Sequence, residues 1–343
     1  MAWLRAAVQA ITDAVRAWAV VPHVYRFELY GPAKSGGVGI RYRRRFRLDE
    51  VVRLKTVAAI RTFMASVAVG FAREVVINRY PEEGLLANFL HVLEVIHRVR
   101  PGTRVRVDWT ITGTEIAFRY GARGEDVWAG LFRVLGPTST RPAHRASMRL
   151  DFAFWGTGKD HLSGRQLQKH REAYHSTILN RLEIANPRVL RQVDEICIQH
   201  FHGRFCVGVH RRVGNALVAN LQANGNIPTP QSIIQSVESL ISASKRGGIS
   251  DYAVFLATDD ADAVAPFRDA FGSKLVIREN VQRTTAGQAE VHFGNWDKLS
   301  IRDAEDVLID TVLLSQCNVM VHASSSVATV AAIMNPGLLL VRA

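Results

Sequence analysis

The chain is poor in cysteine. It has three, Cys197, Cys206 and Cys317, and no two have C-x-x-C spacing. A disulfide framework and a cysteine zinc site are therefore excluded, and the apolar neighbours of each thiol predict reduced core residues of a cytoplasmic protein. Acidic residues are also in deficit, 31 Asp+Glu against 43 Lys+Arg, for a formal net charge of +12. Such an excess suits anionic partners: nucleic acid, a membrane surface or small phosphorylated ligands. No aromatic-interleaved basic motif accompanies it, so the reading is no nucleic acid. The N-terminal stretch "MAWLRAAVQAITDAVRAWAVV" lacks the unbroken apolar core of a signal peptide, because Arg5, Asp13 and Arg16 interrupt it. Thr311 to Val341 contains no Asp, Glu, Lys or Arg. It does contain Ser315, Gln316, Asn318, His322 and Pro336, which predicts buried strand plus helix rather than a membrane span. There is no internal repeat and no low-complexity segment.

What is present reads as a soluble α/β protein. Hydrophobic residues make up 48% and charged residues 22% of the 343, a length that predicts two cores. Residues 1–72 read as a mostly helical extension, with Leu4, Val8, Ile11, Val15 and Trp18 on one helical face and a break at "YGPAKSGGVG". Its run "RYRRRFRLDE" holds five arginines, a basic face compatible with a membrane surface. Further on, "REVVINRY", "LLANFLHVLEVIHRV" and "RVRVDW" predict strand, helix and strand. Residues 137–170 read as loop-rich and contain the domain boundary. Beyond them, strands at "RFCVGVH", "YAVFLATDD", "KLVI" and "NVMVHA" alternate with helices. Asn186 and Thr229 are the expected N-caps, each followed by a proline. That alternation predicts a doubly wound parallel sheet.

In such a sheet, ligands bind beyond the carboxyl ends of the strands. The residues there are His210-Arg211-Arg212, Thr258-Asp259-Asp260 and Ser324-Ser325-Ser326. Adjacent guanidiniums repel unless an anion or a carboxylate sits nearby. Arginines for a diphosphate, serines with helix N–H groups for phosphate oxygens, and carboxylates for a base or sugar hydroxyl suit a nucleotide sugar. Each group alone also fits a surface ion pair or a helix cap. Their coincidence at three strand ends favours a site. Asp260-Ala-Asp262 leaves a metal-dependent D-x-D transferase as an alternative.

Four segments carry a resemblance: "NPRVLRQVDEICIQHFHGRF", "VGVHRRVGN", "AVFLATDDADAVAPFRDAFG" and "DAEDVLIDTVLLSQCNVMVHASSSVATVAAIM". In order and spacing they resemble the α-1,6-type fucosyltransferases, including those of rhizobial nodulation. The resemblance implies a GT-B fold. Residues 73–170 would form a Rossmann-like acceptor-side domain and 171–343 a Rossmann-like nucleotide-sugar-binding domain, facing a cleft. It implies an inverting, metal-independent transfer from GDP-fucose to a glycan or lipo-oligosaccharide hydroxyl, with no further cofactor. His210 and Asp310 would recognise the guanine or its ribose. Arg212 would hold the β-phosphate, Ser324, Ser325 and Ser326 the phosphate oxygens, and Asp259 and Asp260 would line the donor crevice beside Arg211. Where the family has a second arginine and an acid, this chain has Val213 and Asn215. Those departures keep a non-catalytic nucleotide-sugar-binding module as an alternative. The family's catalytic glutamate falls near Asn220, in a stretch, Val213 to Val237, with no Asp, Glu, His, Lys or Tyr. The expected bases are instead Glu82 and Glu83, after the strand "VVIN".

Overall fold

The computed structural model describes residues 25–30, 38–44, 47–54, 74–78, 84–100, 102–112, 120–136, 148–150, 165–212, 228–285, 299–323 and 325–343. The chain divides into two compact units, Met1–Gly70 and Phe71–Ala343.

In the first unit, β1 (Tyr25–Tyr30), β2 (Val38–Arg44) and β3 (Arg47–Leu54) form an antiparallel sheet in the order β1-β2-β3. The expectation that residues 1–72 are mostly helical is corrected over this stretch. The physical reason lies in the period. Tyr25, Phe27 and Leu29, then Val38, Ile40 and Tyr42, recur every second residue, and aromatic and β-branched side chains favour a pleated surface. Pro32 and the glycines around it separate two strands, not two helices. The apolar face expected over Leu4 to Trp18 lies outside the described residues.

The second unit opens with β4 (Glu74–Asn78), α1 (Leu85–Arg98) and β5 (Arg104–Asp108), the expected strand–helix–strand. Then come α2 (Val127–Leu131), β6 (Phe132–Val134) and β7 (Met148–Leu150). The parallel sheet runs β5-β4-β7, so the loop-rich stretch 137–170 supplies a strand. Trp109 and Phe89 pack against Trp128 beneath it, with Trp109 edge-on to Trp128 at 4.9 Å.

Helix α3 (Arg165–Arg181) contains the expected domain boundary, then β8 (Leu182–Ile184) pairs antiparallel with β6. Toward the first sheet, Tyr174 of α3 donates to Glu94 of α1. Toward the second, the buried Arg171 donates to the carbonyls of Ala332, Asn335 and Leu338 at 2.8–2.9 Å. A cation there satisfies acceptors that a helix C-terminus leaves unpaired. Residues 71–343 are one compact unit partly for this reason.

The remainder is α4 (Pro187–Ile196, continued by a π-turn Cys197–Phe201), β9 (Phe205–Arg211), α5 (Pro230–Arg246), β10 (Tyr252–Thr258), α6 (Val264–Phe271), β11 (Leu275–Ile277), α7 (Ile301–Ser315), β12 (Val319–His322), α8 (Ser326–Met334) and β13 (Leu339–Arg342). The expected caps are in place: Asn186 accepts from Val189 N–H at 3.0 Å and Thr229 from Ser232 N–H at 3.2 Å. All pairings are parallel, in the order β11-β10-β9-β12-β13. The chain winds outward from β9 to β11, then crosses to β12 on the other side. That is the reversal of a doubly wound sheet.

Alternate residues of each strand serve opposite helical layers. Val207, Val209, Val254 and Leu256 pack on Ile233, Val237 and Phe267 of α5 and α6. On the other face, Phe255 meets Phe201 at 5.9 Å. Gly208 lies so close to α7 that a Cβ would stand 3.0 Å from both Cys317 Sγ and Leu314 Cδ2. Cys206 and Cys317 are buried and free, as expected of core thiols, while Cys197 is free but only partly buried. The uncharged stretch from Thr311 forms the end of α7, β12, α8 and β13, and no described helix is long and apolar enough to cross a membrane.

Candidate functional site

A cleft with about 100 Å3 of internal space lies at the carboxyl edge of the five-stranded sheet. It is lined by the ends of β9 and β10, the start of α8, one face of α7 and, from the first α/β half, Tyr120. It sits where the strand order reverses, between β9 and β12.

Strand alternation separates His210 from Arg211. Arg211 follows Val207 and Val209 toward the α5 layer, where it is buried. Its Nε donates to Asp260 Oδ2 at 3.0 Å and its Nη1 to the Pro228 carbonyl at 2.6 Å. The other oxygen of Asp260 accepts from Asp262 N–H at 3.0 Å. Both expected donor residues Arg211 and Asp260 thus hold each other, and Asp260 does not line the cleft. Among the described residues no cluster of three His, Cys, Asp or Glu side chains could hold a metal ion.

His210 follows Gly208 toward the α7–α8 layer. Its Nδ1 lies 3.2 Å from Ser325 Oγ, and that oxygen caps α8 by accepting from Ala328 N–H at 3.1 Å. A serine hydroxyl can donate to Nδ1 or accept from Nδ1–H, so this contact fits either tautomer of the ring. Burial, then Arg212, then His322 push the His210 pKa down to about 3. His322 pairs in register with His210 across the reversal point, donates Nδ1–H to the Ala323 carbonyl, and is also lowered by burial. Two neutral imidazoles flank the switch.

Arg212 stands just past the strand end. Its Nε is 3.8 Å from Asp259 Oδ2, too long for a hydrogen bond, and it makes none among the described residues. It is the least committed cation of the cleft. Asp310 gives one oxygen to Arg278 Nη1 at 2.9 Å, and burial raises its pKa despite that partner. Ser325 and Ser326 open α8, while Ser324, Glu82 and Glu83 lie outside the described residues.

Several residues went unread in the sequence. Asp303 and Asp306 share one face of α7 with the expected Asp310, a spacing visible in "IRDAEDVLID". Arg278, just past β11, holds Asp306 at 2.5 Å and could have been found by the same strand-end reasoning. Tyr120 had no such signal. Its hydroxyl bonds to the Leu85 backbone at the start of α1, and burial raises its pKa in spite of nearby Arg212.

Fold and cleft together define a doubly wound α/β protein with a cleft of arginine and aspartate side chains at its topological switch point. No family model matches the chain, and no curated protein does. Among solved structures it is similar to the NodZ α-1,6-fucosyltransferase soaked with GDP-fucose, at 15% identity and TM-score 0.47, covering 77% of this chain and 93% of that one. It is similar to the fucosyltransferase NodZ from Bradyrhizobium at 14% identity and TM-score 0.46, over 77% and 94% of the two chains. The POFUT1 apo-form is similar at 10% identity and TM-score 0.45, over 78% and 97%.

Proposed function

We propose that this protein is an inverting glycosyltransferase that takes a nucleoside diphosphate sugar into the cleft and transfers the sugar to a hydroxyl of a glycan or lipo-oligosaccharide. The donor is GDP-fucose, as the resemblance of its four sequence segments implies. One observation carries the reading. Arg212 lies at the switch point without a hydrogen-bond partner among the described residues, beside the Ser325-capped start of α8. A guanidinium and a helix N-terminus together favour a diphosphate, whose charge grows as the sugar leaves. The neutral His210 offers its imidazole, and Asp310 a carboxylate, to the base or ribose. This chemistry needs no metal, because arginine and helix N–H groups stabilise the leaving group.

The test is calorimetric binding of GDP, UDP, ADP and GDP-fucose, followed by a donor-turnover assay with and without EDTA. Arg212→Ala should weaken diphosphate binding by roughly 2–5 kcal/mol, since a charge partner is lost, and abolish turnover. A protein that binds none of the nucleotides refutes the proposal. Binding without turnover would instead make it a nucleotide-sugar-binding module. Loss of turnover in EDTA, restored by Mn²⁺, would make the reaction metal-dependent.

A further inference from the structure

Two cavities meet at the first turn of α7. The cleft that holds Arg212 shares Asp303 and Asp306 with a broader groove of about 630 Å3. That groove runs between α4 and the residues after β11, and Arg188, Gln192, Asn280 and Ser300 give it a polar wall. Such a wall suits a hydroxyl-rich molecule rather than an apolar one.

The carboxylates at the junction are not equivalent. Asp306 is buried and held by Arg188 at 3.1 Å and Arg278 at 2.5 Å. Asp310 is held by Arg278, and Asp259 faces Arg212. Asp303 is different. It is the third residue of α7 and closes a capping box with Ser300. Its Oδ2 accepts from the Ser300 N–H at 2.7 Å and from the Ser300 hydroxyl at 3.0 Å. Both bonds fall on one oxygen, and Oδ1 has no partner among the described residues. The helix start thus fixes a half-buried carboxylate with one oxygen open where the two cavities join.

We propose that Asp303 is the general base of the transfer, with the groove delivering the acceptor. The inference rests on the glycosyltransferase reading. The acceptor oxygen forms a bond to the anomeric carbon on the face opposite the diphosphate. The carbon–oxygen bond to the diphosphate breaks, and its electron pair leaves with the diphosphate beside Arg212. The acceptor proton passes to Asp303 Oδ1 and then to solvent. This assignment supplies the base missing from the loop after the arginine pair.

The experiment uses the full chain, GDP-fucose as donor, and water or sodium azide as acceptor. Water must lose a proton and azide need not. In Asp303→Asn, hydrolysis should fall roughly 10²–10⁴-fold, and the acidic limb of its pH profile should vanish. Fucosyl azide should still form at near the unaltered rate, with GDP affinity within about twofold. If hydrolysis and azidolysis fall together, Asp303 only holds the start of α7 and the proposal is overturned. It is equally overturned if Glu82→Gln or Glu83→Gln shows azide rescue and Asp303→Asn does not. If the unaltered chain yields neither product from GDP-fucose or any other sugar nucleotide, the transferase reading itself falls, and this role with it.

Discussion

Two adjacent arginines do opposite work. Arg211 and Asp260 are a buried pair, about 10% and 8% exposed at their side chains, while the Arg212 side chain is 26% exposed. Removing one partner of a buried pair strands the other charge in a poor solvent. Arg211→Ala should therefore lower unfolding free energy by roughly 3–5 kcal/mol. Arg211→Met combined with Asp260→Leu should recover most of that, because no charge is left behind. Arg212→Ala should unfold in urea close to the parent. A similar stability loss in both single variants would show that Arg212 is scaffold too.

At the scale of elements, β9 is positioned by what it lacks. The absent side chain at Gly208 lets the strand approach the end of α7, and the residues that follow reach the cleft from that seat. A methyl there would meet Cys317 Sγ and Leu314 Cδ2 at 3.0 Å each, closer than ordinary contact. Gly208→Ala should cost roughly 1–3 kcal/mol by overpacking. Cys317→Ala in the same chain should return part of it, a coupling that a double-mutant cycle measures. Additive losses would show that the strand is not seated by this contact. The α/β elements were legible because their signals are local: apolar runs, Asn186 and Thr229 before prolines, and serines before α8. Over Tyr25–Leu54 the proline–glycine break suits a link between helices as well as between strands, and the two-residue alternation either side of it is what marks the strands.

For the whole molecule, burial of neutral histidines contributes to the response to acid. The His91 pKa is lowered by burial to about 4 and that of His210 to about 3, both from 6.5. Between those values the unfolded chain takes up protons that the folded chain refuses. Their stabilising contribution is therefore complete above about pH 6.5 and is lost as pH falls toward the folded values. Each can contribute up to about 1.4 kcal/mol per pH unit in that window. Asp310, raised by burial, works in the opposite sense as the pH drops. Urea unfolding at pH 7, 6 and 5 should show stability falling with acid, and His210→Gln should fall less steeply. A slope unchanged by the substitution would mean that His210 is protonated in the folded protein.

The sequence by itself determined the elements of the α/β half and the strand ends that carry His210, Arg211 and Arg212, because hydrophobic period and capping act over a few residues. It also determined that Cys206 and Cys317 are core thiols, since their neighbours are apolar, whereas Cys197 is only partly buried. Only the tertiary structure decided which arginine is available, because Asp260 and the Pro228 carbonyl lie 49 and 17 residues away from Arg211. The same holds for Tyr120, brought to the cleft from the other α/β half, and for Asp303. The "S-x-x-D" of its capping box is local, but the meeting of two cavities beside it depends on how α4, α7 and the end of β11 pack. Helix caps are written within one turn of chain, whereas a cleft exists only once distant turns have packed around it.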